Sequence, residues 1–167
     1  AGSVQSMDKV VLGNIKRNNI DEQALMSLAM AANEIGANSY SEIILALPGD
    51  TLQAHFETLK ILIESNFNMI SMYQLMILPG TEMGSINSRK QYSIKGKFRL
   101  LPRCYGYFDV LGEKLNVAEI EEICVENSTL NFDDYLNCRK MNLLVNVFYN
   151  DGVLRDLIKF FRWQGLS

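Results

Sequence analysis

The sequence predicts a mixed α/β fold in which strands and helices alternate through the first half of the chain, followed by a small α+β extension. Two continuous apolar runs, residues 41–47 and 69–78, each end in Pro-Gly and are typical of buried parallel strands. Apolar stripes at helical spacing lie before and between these runs. The order strand, helix, strand indicates a parallel sheet covered by helices.

The composition supports a folded, soluble domain. The 167 residues are 48% hydrophobic and 21% charged, with a net charge of −3, which argues against a nucleic-acid partner. No apolar run approaches the roughly 20 residues that cross a membrane, so we expect a cytoplasmic protein without a membrane partner. The cysteines Cys104, Cys124 and Cys138 are too widely spaced for a metal motif, and we expect them to be reduced and partly buried.

The first half of the chain divides into strand and helix segments. Residues 4–6 have the character of a strand end, and Asp8 is placed to cap a short helix. A longer apolar stripe follows and ends at Gly36, before the first apolar run. Asp50 or Thr51 then caps the helix that separates the two runs.

The second half is less regular. Residues 87–97 are polar and basic and predict a connecting loop, whereas the sequence around Gly112 predicts a hairpin. Residues 119–125 alternate acidic with apolar side chains, as a half-exposed strand does. Further on, Asn131 or Asp133 caps a helix, and a last short helix covers residues 153–163. The single histidine, His55, is expected at the surface.

Three polar residues stand where periodicity does not explain them. Gln5 closes the first strand, Glu42 opens the second, and Arg17 ends the first short helix. Residues near the carboxyl ends of parallel strands face the ligand crevice of α/β proteins. An ionised Glu in an apolar strand costs several kcal/mol unless it is paired or bound to ligand. Glu42 therefore either binds ligand hydroxyls or pairs with a neighbouring Lys or Arg.

The arrangement of these residues resembles the second half of a radical S-adenosylmethionine (SAM) barrel. Leu-Pro-Gly-Asp-Thr at 47–51 resembles that family's turn after its fifth strand, and Leu-Pro-Gly-Thr at 78–81 resembles the turn after the sixth. Residues 4–6 and 73–75 continue the likeness. The nearest pattern is the branch of oxygen-independent coproporphyrinogen oxidases and cobalamin-binding radical SAM enzymes.

The resemblance implies roles for five residues, none of them catalytic or metal-binding. Gln5 and Glu42 match the side chains that hold the SAM ribose, and Arg17 matches the one that takes the methionyl carboxylate. Vicinal hydroxyls suit an amide and an acid, and a carboxylate suits a guanidinium fork. Ile44 is implied to lie against the adenine, and Met76 to contribute backbone contacts there.

The resemblance also implies what this chain lacks. The family's three cluster-binding cysteines and its Gly-Gly-Glu segment precede the region matched here, and neither occurs in this sequence. We therefore expect a truncated domain: residues 1–86 as the C-terminal half of the barrel, about three βα units of six, and residues 87–167 as an extension. The parent enzyme is expected to use a 4Fe–4S cluster, cobalamin and SAM to generate a 5′-deoxyadenosyl radical, and the fragment alone to be inactive.

Two other interpretations of the sequence are open. One is a non-catalytic α/β interaction module in which Glu42 and Arg17 form a structural pair. The other is a fragment of an unrelated aldolase-like barrel, which ranks lower because no Lys lies in the strand runs.

A sheet that lacks half a barrel exposes an apolar edge. We therefore expect pairing with the missing N-terminal half or, in its absence, a homodimer through that edge.

Overall fold

The computed structural model of the protein describes residues 2–165 and contains both helices and strands. The elements, in chain order, are α1 (Lys9–Asn14), α2 (Glu22–Glu34), β1 (Tyr40–Leu45), α3 (Leu52–Glu64), β2 (Met69–Gln74), α4 (Ile86–Gln91), β3 (Lys95–Val110), β4 (Glu113–Glu126), α5 (Phe132–Leu144), a π-helix (Val145–Asn150) and α6 (Arg155–Trp163). The mixed α/β class predicted from the sequence is confirmed.

A small parallel sheet carries the polar residues noted above. β1 and β2 pair in parallel, with Glu42 opposite Ser71 and Ile44 opposite Tyr73. On the other side of β1, Gln5 forms a single parallel bridge to Ile43. The two apolar runs are thus strands, but the predicted strand before them is reduced to one bridge residue. The structure does not confirm three βα units of a barrel.

Two asparagine side chains cover the edges of this sheet. At the β2 edge, Asn150 Oδ1 accepts from the Ile70 amide at 2.9 Å and Asn150 Nδ2 donates to the Ile70 carbonyl at 2.8 Å. At the opposite edge, Asn19 Nδ2 donates to the carbonyls of Val4 and Ser6, both at 2.8 Å. Unpaired edges recruit further strands, so these amides satisfy backbone groups that a neighbouring strand would otherwise take.

The two faces of the sheet differ in burial because strand side chains alternate. Ile43 of β1 and Ile70 of β2 belong to one buried cluster with residues of α2 and α3, including Leu25 and Leu62. Helices therefore cover this face. The opposite face carries half-buried or exposed side chains, namely Tyr40, Glu42, Ile44, Met69, Ser71 and Tyr73.

After α4 the chain forms a long hairpin of β3 and β4, which joins the parallel sheet at its base. The Ile77 amide donates to the Glu122 carbonyl at 2.8 Å, and the Cys124 amide donates to the Leu75 carbonyl at 2.9 Å. The hairpin turn falls at Leu111 and Gly112, as predicted. Beyond its base the hairpin projects with many exposed apolar side chains, among them Phe98, Leu100, Tyr105, Tyr107, Phe108, Val110, Leu111 and Ile120.

Two local predictions are wrong. Residues 87–97 are not a loop: they hold most of α4, which Ser85 caps by accepting from the Ser88 amide, and the start of β3. His55 is not at the surface but is 3% exposed, with Nε2 2.7 Å from Asn142 Oδ1. The face of α3 that carries His55 packs on α5, which the local sequence of α3 does not reveal.

A second buried cluster draws on both halves of the chain. It combines Leu45 and Ile77 of the first half with Ile123, Leu130 and Tyr135 of the extension. The predicted domain boundary between residues 86 and 87 lies at the start of α4, and the division into two domains stays a prediction. Within residues 2–165, no helix has the length and apolar character needed to cross a bilayer.

Candidate functional site

The site predicted from the sequence lies around the end of β1. The Gln5 amide donates to the Glu42 carbonyl at 2.8 Å, and the Ile44 amide donates to the Gln5 carbonyl at 2.9 Å. Gln5 is half-buried and has φ +60°, a left-handed conformation that costs energy for a residue other than glycine. The structure thus brings Gln5, Glu42 and Ile44 together through backbone pairing.

Arg17 reaches the same segment from the end of α1. Its Nη2 donates to the Ser3 carbonyl at 2.6 Å, and its Nε donates to Asn19 Oδ1 at 3.0 Å. These contacts occupy two of the five N–H groups of the guanidinium. The remaining donors can still bind a carboxylate, and they lie close to the strand segment that contains Gln5.

Glu42 is half-buried on the open face of β1. Among the residues that the structure describes, its carboxylate has neither a hydrogen-bond donor nor an ion-pair partner. Glu42 therefore forms no salt bridge to Arg17 or to another base in the described part of the chain. A half-buried carboxylate on an open sheet face is available to accept hydrogen bonds from ligand hydroxyls.

Met76 lies two residues beyond β2, at the seam between the parallel sheet and the hairpin. It forms an antiparallel bridge to Ile123, and its residue surface is 45% exposed. The bridge commits part of its backbone to β4. Within residues 2–165, neither a hydrogen bond nor a strand bridge joins Met76 to Gln5, Arg17 or Glu42.

The turn after β1 is held by its own aspartate. Asp50 is 2% exposed; its Oδ2 accepts from the Ala46 amide and its Oδ1 from the Thr51 amide, both at 3.0 Å. The pKa of this carboxyl is raised to about 7, mainly by burial and to a smaller extent by the nearby Asp8, while the two backbone donors lower it. Thr51 accepts from the Ala54 amide and so caps α3.

The extension also holds this turn, which the sequence did not indicate. Asn127 Nδ2 donates to the carbonyls of Ala46 and Leu47 at 3.2 and 3.1 Å, and the Thr129 hydroxyl donates to the Asp50 carbonyl at 2.7 Å. Asn127 is buried, and it is 80 residues from Leu47 along the chain. Asn19 and Asn127 were both missed, because an asparagine in a loop gives no periodic signal.

The cysteines do not fit an iron–sulfur cluster. Unlike Cys104, Cys124 and Cys138 are buried in the described chain, and burial raises the pKa of Cys124 to about 11 and that of Cys138 to about 12. Cys104 is half-buried on the projecting hairpin. In the part of the chain that the structure describes, no group of three His, Cys, Asp or Glu residues could hold a metal ion.

Cavities occur away from this site. One of 560 Å³ and one of 1030 Å³ lie between α3, the π-helix and α6, and both are lined by Ile63, Val145 and Ile158. Their lining is mainly apolar and includes neither Gln5, Arg17 nor Glu42. Converging polar groups mark ligand sites better than volume does, so the open face near Gln5 is the stronger candidate.

The chain is similar to known methyltransferases along nearly its whole length. It is 28% identical over 165 residues to the cobalamin-dependent radical SAM methyltransferase TokK of Streptomyces tokunonensis, an alignment that covers 97% of this chain and 23% of that protein. It is 25% identical over 161 residues to the 2-(S-pantetheinyl)-carbapenam-3-carboxylate methyltransferase of Streptantibioticus cattleyicolor, which covers 96% of this chain and 23% of that protein. The chain thus spans about a quarter of the length of these relatives.

The solved structures and the family models add little. The chain is 32% identical to coproporphyrinogen III oxidase (HemN) from Escherichia coli, a radical SAM enzyme, over 46% of this chain and 18% of that one, with a TM-score of 0.43. No protein-family model matches. The curated relatives confirm the resemblance predicted from the sequence: the chain is similar to cobalamin-dependent radical SAM methyltransferases.

Proposed function

We propose that this chain forms the ribose- and carboxylate-binding side of a SAM pocket in a cobalamin-dependent radical SAM methyltransferase. The observation that carries the proposal is the convergence of Gln5, Glu42 and Arg17 on one short strand segment. The Glu42 carboxylate is unpaired among the described residues and half-buried, as an acceptor for ligand hydroxyls should be. The names of the relatives supply the reaction class, methyl transfer.

Each residue has a proposed task in this pocket. The side-chain amide of Gln5 and the carboxylate of Glu42 hold the two ribose hydroxyls. The N–H groups of Arg17 that Ser3 and Asn19 do not occupy donate to the methionyl carboxylate. Ile44, two residues after Glu42 on the same face of β1, lies against the adenine. Met76 contributes backbone contacts to the adenine.

The parent enzyme carries the cofactors that this chain does not fit. In such an enzyme a 4Fe–4S cluster would supply the electron for SAM cleavage, and cobalamin would carry the methyl group. No three His, Cys, Asp or Glu residues that could hold a metal come together in the described part of the chain, so we place the cluster ligands in the other half of the barrel. We therefore propose that the fragment binds SAM but does not turn over alone.

Two alternatives are weaker on the same residues. An aldolase-like barrel needs a Lys or an acid pair at the strand ends, and neither β1 nor β2 contains a lysine. An interaction module held by a Glu42–Arg17 pair requires an ion pair that is not formed among the described residues. Neither alternative explains an unpaired carboxylate on the open sheet face.

The missing half of the barrel is proposed to dock on the open face and along the edge at Gln5. In its absence a second copy could use the same edge, although Asn19 and Asn150 already hold backbone groups at the two edges. Light scattering of the chain over a range of concentrations tests this pairing. A strict monomer at high concentration contradicts the homodimer.

Calorimetric titration of the full chain with SAM tests the proposed function. We expect weak binding, in the millimolar range of about 4 kcal/mol, because only one side of the pocket is present. Glu42→Ala should abolish the heat, whereas Glu64→Ala, which removes an exposed carboxylate on α3, should not. The proposal fails if SAM does not bind, or if both variants bind SAM as the unmodified chain does.

A further inference from the structure

Asn19 uses both of its donors on the segment that carries Gln5 and its acceptor oxygen on Arg17. Both hydrogens of its Nδ2 are donated, to the carbonyls of Val4 and Ser6, each at 2.8 Å. Its Oδ1 accepts from Arg17 Nε at 3.0 Å. A primary amide offers two donors and one acceptor atom, so one side chain connects two of the proposed SAM-binding residues.

The first consequence concerns Gln5. Its own amide and carbonyl pair with β1, whereas the carbonyls on either side of it are held by Asn19. A glutamine at φ +60° persists only where its surroundings determine its conformation. Asn19 fixes the backbone on both sides of this residue, and so it sets where the Gln5 side chain leaves the strand.

The second consequence concerns Arg17. A guanidinium is planar, so a hydrogen bond to Nε and one to Nη2 together define its plane. Asn19 Oδ1 holds Nε, and the Ser3 carbonyl, 2.6 Å from Nη2, holds the other end. The N–H groups that remain then point in a fixed direction. A carboxylate is bound by two parallel N–H groups only when that direction is right.

We propose that Asn19 is a positioning residue that sets Gln5 and Arg17 for the ribose and the carboxylate of one SAM molecule. The inference rests on the proposed function, because it assigns Asn19 no contact with the ligand. It predicts that Asn19 affects two different parts of the ligand at once, which a residue that touches only one part cannot do.

Two ligands separate these effects: SAM, and 5′-methylthioadenosine, which keeps the adenosine but lacks the methionyl carboxylate. Dissociation constants are measured by ligand-detected NMR on the full chain. Arg17→Ala should weaken SAM about tenfold and leave methylthioadenosine unchanged, since only SAM has the carboxylate. Asn19→Ala should weaken both ligands, by about tenfold for SAM and several-fold for methylthioadenosine.

Asn19→Asp distinguishes the two halves of the role. The carboxylate still accepts from Arg17 Nε but cannot donate to the carbonyls of Val4 and Ser6. We expect it to weaken methylthioadenosine as Asn19→Ala does, because both variants lose the two donors. It should weaken SAM further, because the added charge beside Arg17 opposes the methionyl carboxylate. Asn18→Ala, at the exposed neighbouring residue, should change neither constant.

The outcomes are distinguishable. In equilibrium with the unfolded state, the apparent dissociation constant rises by the inverse of the folded fraction. The folded fraction of each variant is therefore measured by circular dichroism, and the constants are corrected for it before they are compared. If Asn19→Asp, or Asn19→Ala where it folds, binds both ligands as the unmodified chain does, the positioning role is overturned while the SAM site stands. If the unmodified chain binds neither ligand at millimolar concentration, the proposed function and this inference both fail.

Discussion

Asn127 Nδ2 lies 3.2 Å from the carbonyl oxygen of Ala46, across 81 residues of sequence, and ties the extension to the turn that follows β1. Ala46 has φ +68°, an unfavourable conformation for alanine. The same amide group also donates to Leu47, and its Oδ1 accepts from the amides of Thr129 and Leu130. The loop after β4 is therefore part of the support of the Leu-Pro-Gly-Asp-Thr turn.

Removing this amide should destabilise the fold. Asn127→Ala leaves several buried backbone groups unpaired, and we expect the free energy of unfolding to fall by about 2–4 kcal/mol. Urea unfolding followed by circular dichroism measures the change. Asn137→Ala, at an exposed position on α5, is the matched control and should cost less than about 0.5 kcal/mol. Equal midpoints for the two variants would show that the Asn127 contacts carry no net stability.

Gly49 should tolerate no side chain. Its φ is +90°, and an added Cβ would lie 2.6 Å from Asn14 Nδ2, which donates to the Pro48 carbonyl. Gly80 has φ +81° but has no atom within 4 Å of an added Cβ. Gly80→Ala therefore measures the conformational cost alone, about 1 kcal/mol, and Gly49→Ala should cost about 1–2 kcal/mol more. The same denaturation assay gives both values, and equal losses would mean that Asn14 moves aside freely.

Asp50 should make stability depend on pH. Burial raises its pKa from 3.8 to about 7, so the folded state keeps a proton that the unfolded state releases. The stability that this group contributes is complete below about pH 3.8 and is lost as the pH rises to about 7. The slope should reach about 1.4 kcal/mol per pH unit.

The difference between the unmodified chain and Asp50→Asn isolates this contribution. Unfolding free energies measured from pH 4 to 8 should converge or cross with rising pH, because the asparagine side chain does not titrate in this range. Asp151→Asn, which alters an exposed carboxyl, should leave the profile parallel to that of the unmodified chain. A constant difference between the unmodified chain and Asp50→Asn contradicts the raised pKa.

The buried pair of His55 and Asn142 should show strong coupling. Oδ1 of Asn142 lies 2.7 Å from His55 Nε2, and Asn142 Nδ2 has no hydrogen-bond partner among the described residues. Asn142→Leu leaves the imidazole N–H without its acceptor, and we expect a cost of about 1–3 kcal/mol. His55→Leu leaves Asn142 Oδ1 without its donor and should lower the free energy of unfolding by a similar amount. The double variant should lose less than the sum of the two, and an additive result would show that the pair does not interact.

The same histidine should also respond to acid. Burial lowers the pKa of His55 below its ordinary 6.5, so the unfolded state takes up the proton first. The stability that depends on a neutral His55 is present above pH 6.5 and is lost as the pH falls below it. His55→Leu should lack this loss between pH 6.5 and 5, as measured by urea unfolding.

Local sequence determined much of the secondary structure, because caps, turns and apolar runs act within a few residues. Asp8 and Asn131 cap helices as predicted, and the hairpin turns at Gly112. The two apolar runs are parallel strands. The residues of β1 and of the turn after it were also enough to predict the family resemblance.

Only the tertiary structure decided which distant groups meet. The contacts of His55 with Asn142 and of Asn127 with Ala46 join residues 87 and 81 positions apart, and no periodic pattern records such pairs. α4 was missed because its six residues are largely polar, so no apolar stripe marks it, and the Ser85 cap and its tertiary setting define it instead. The sequence alone thus identified Gln5, Arg17 and Glu42 as polar residues that periodicity does not explain. Packing decided that Asn19 links the first two, because hydrogen bonds between loops depend on where the folded chain brings them.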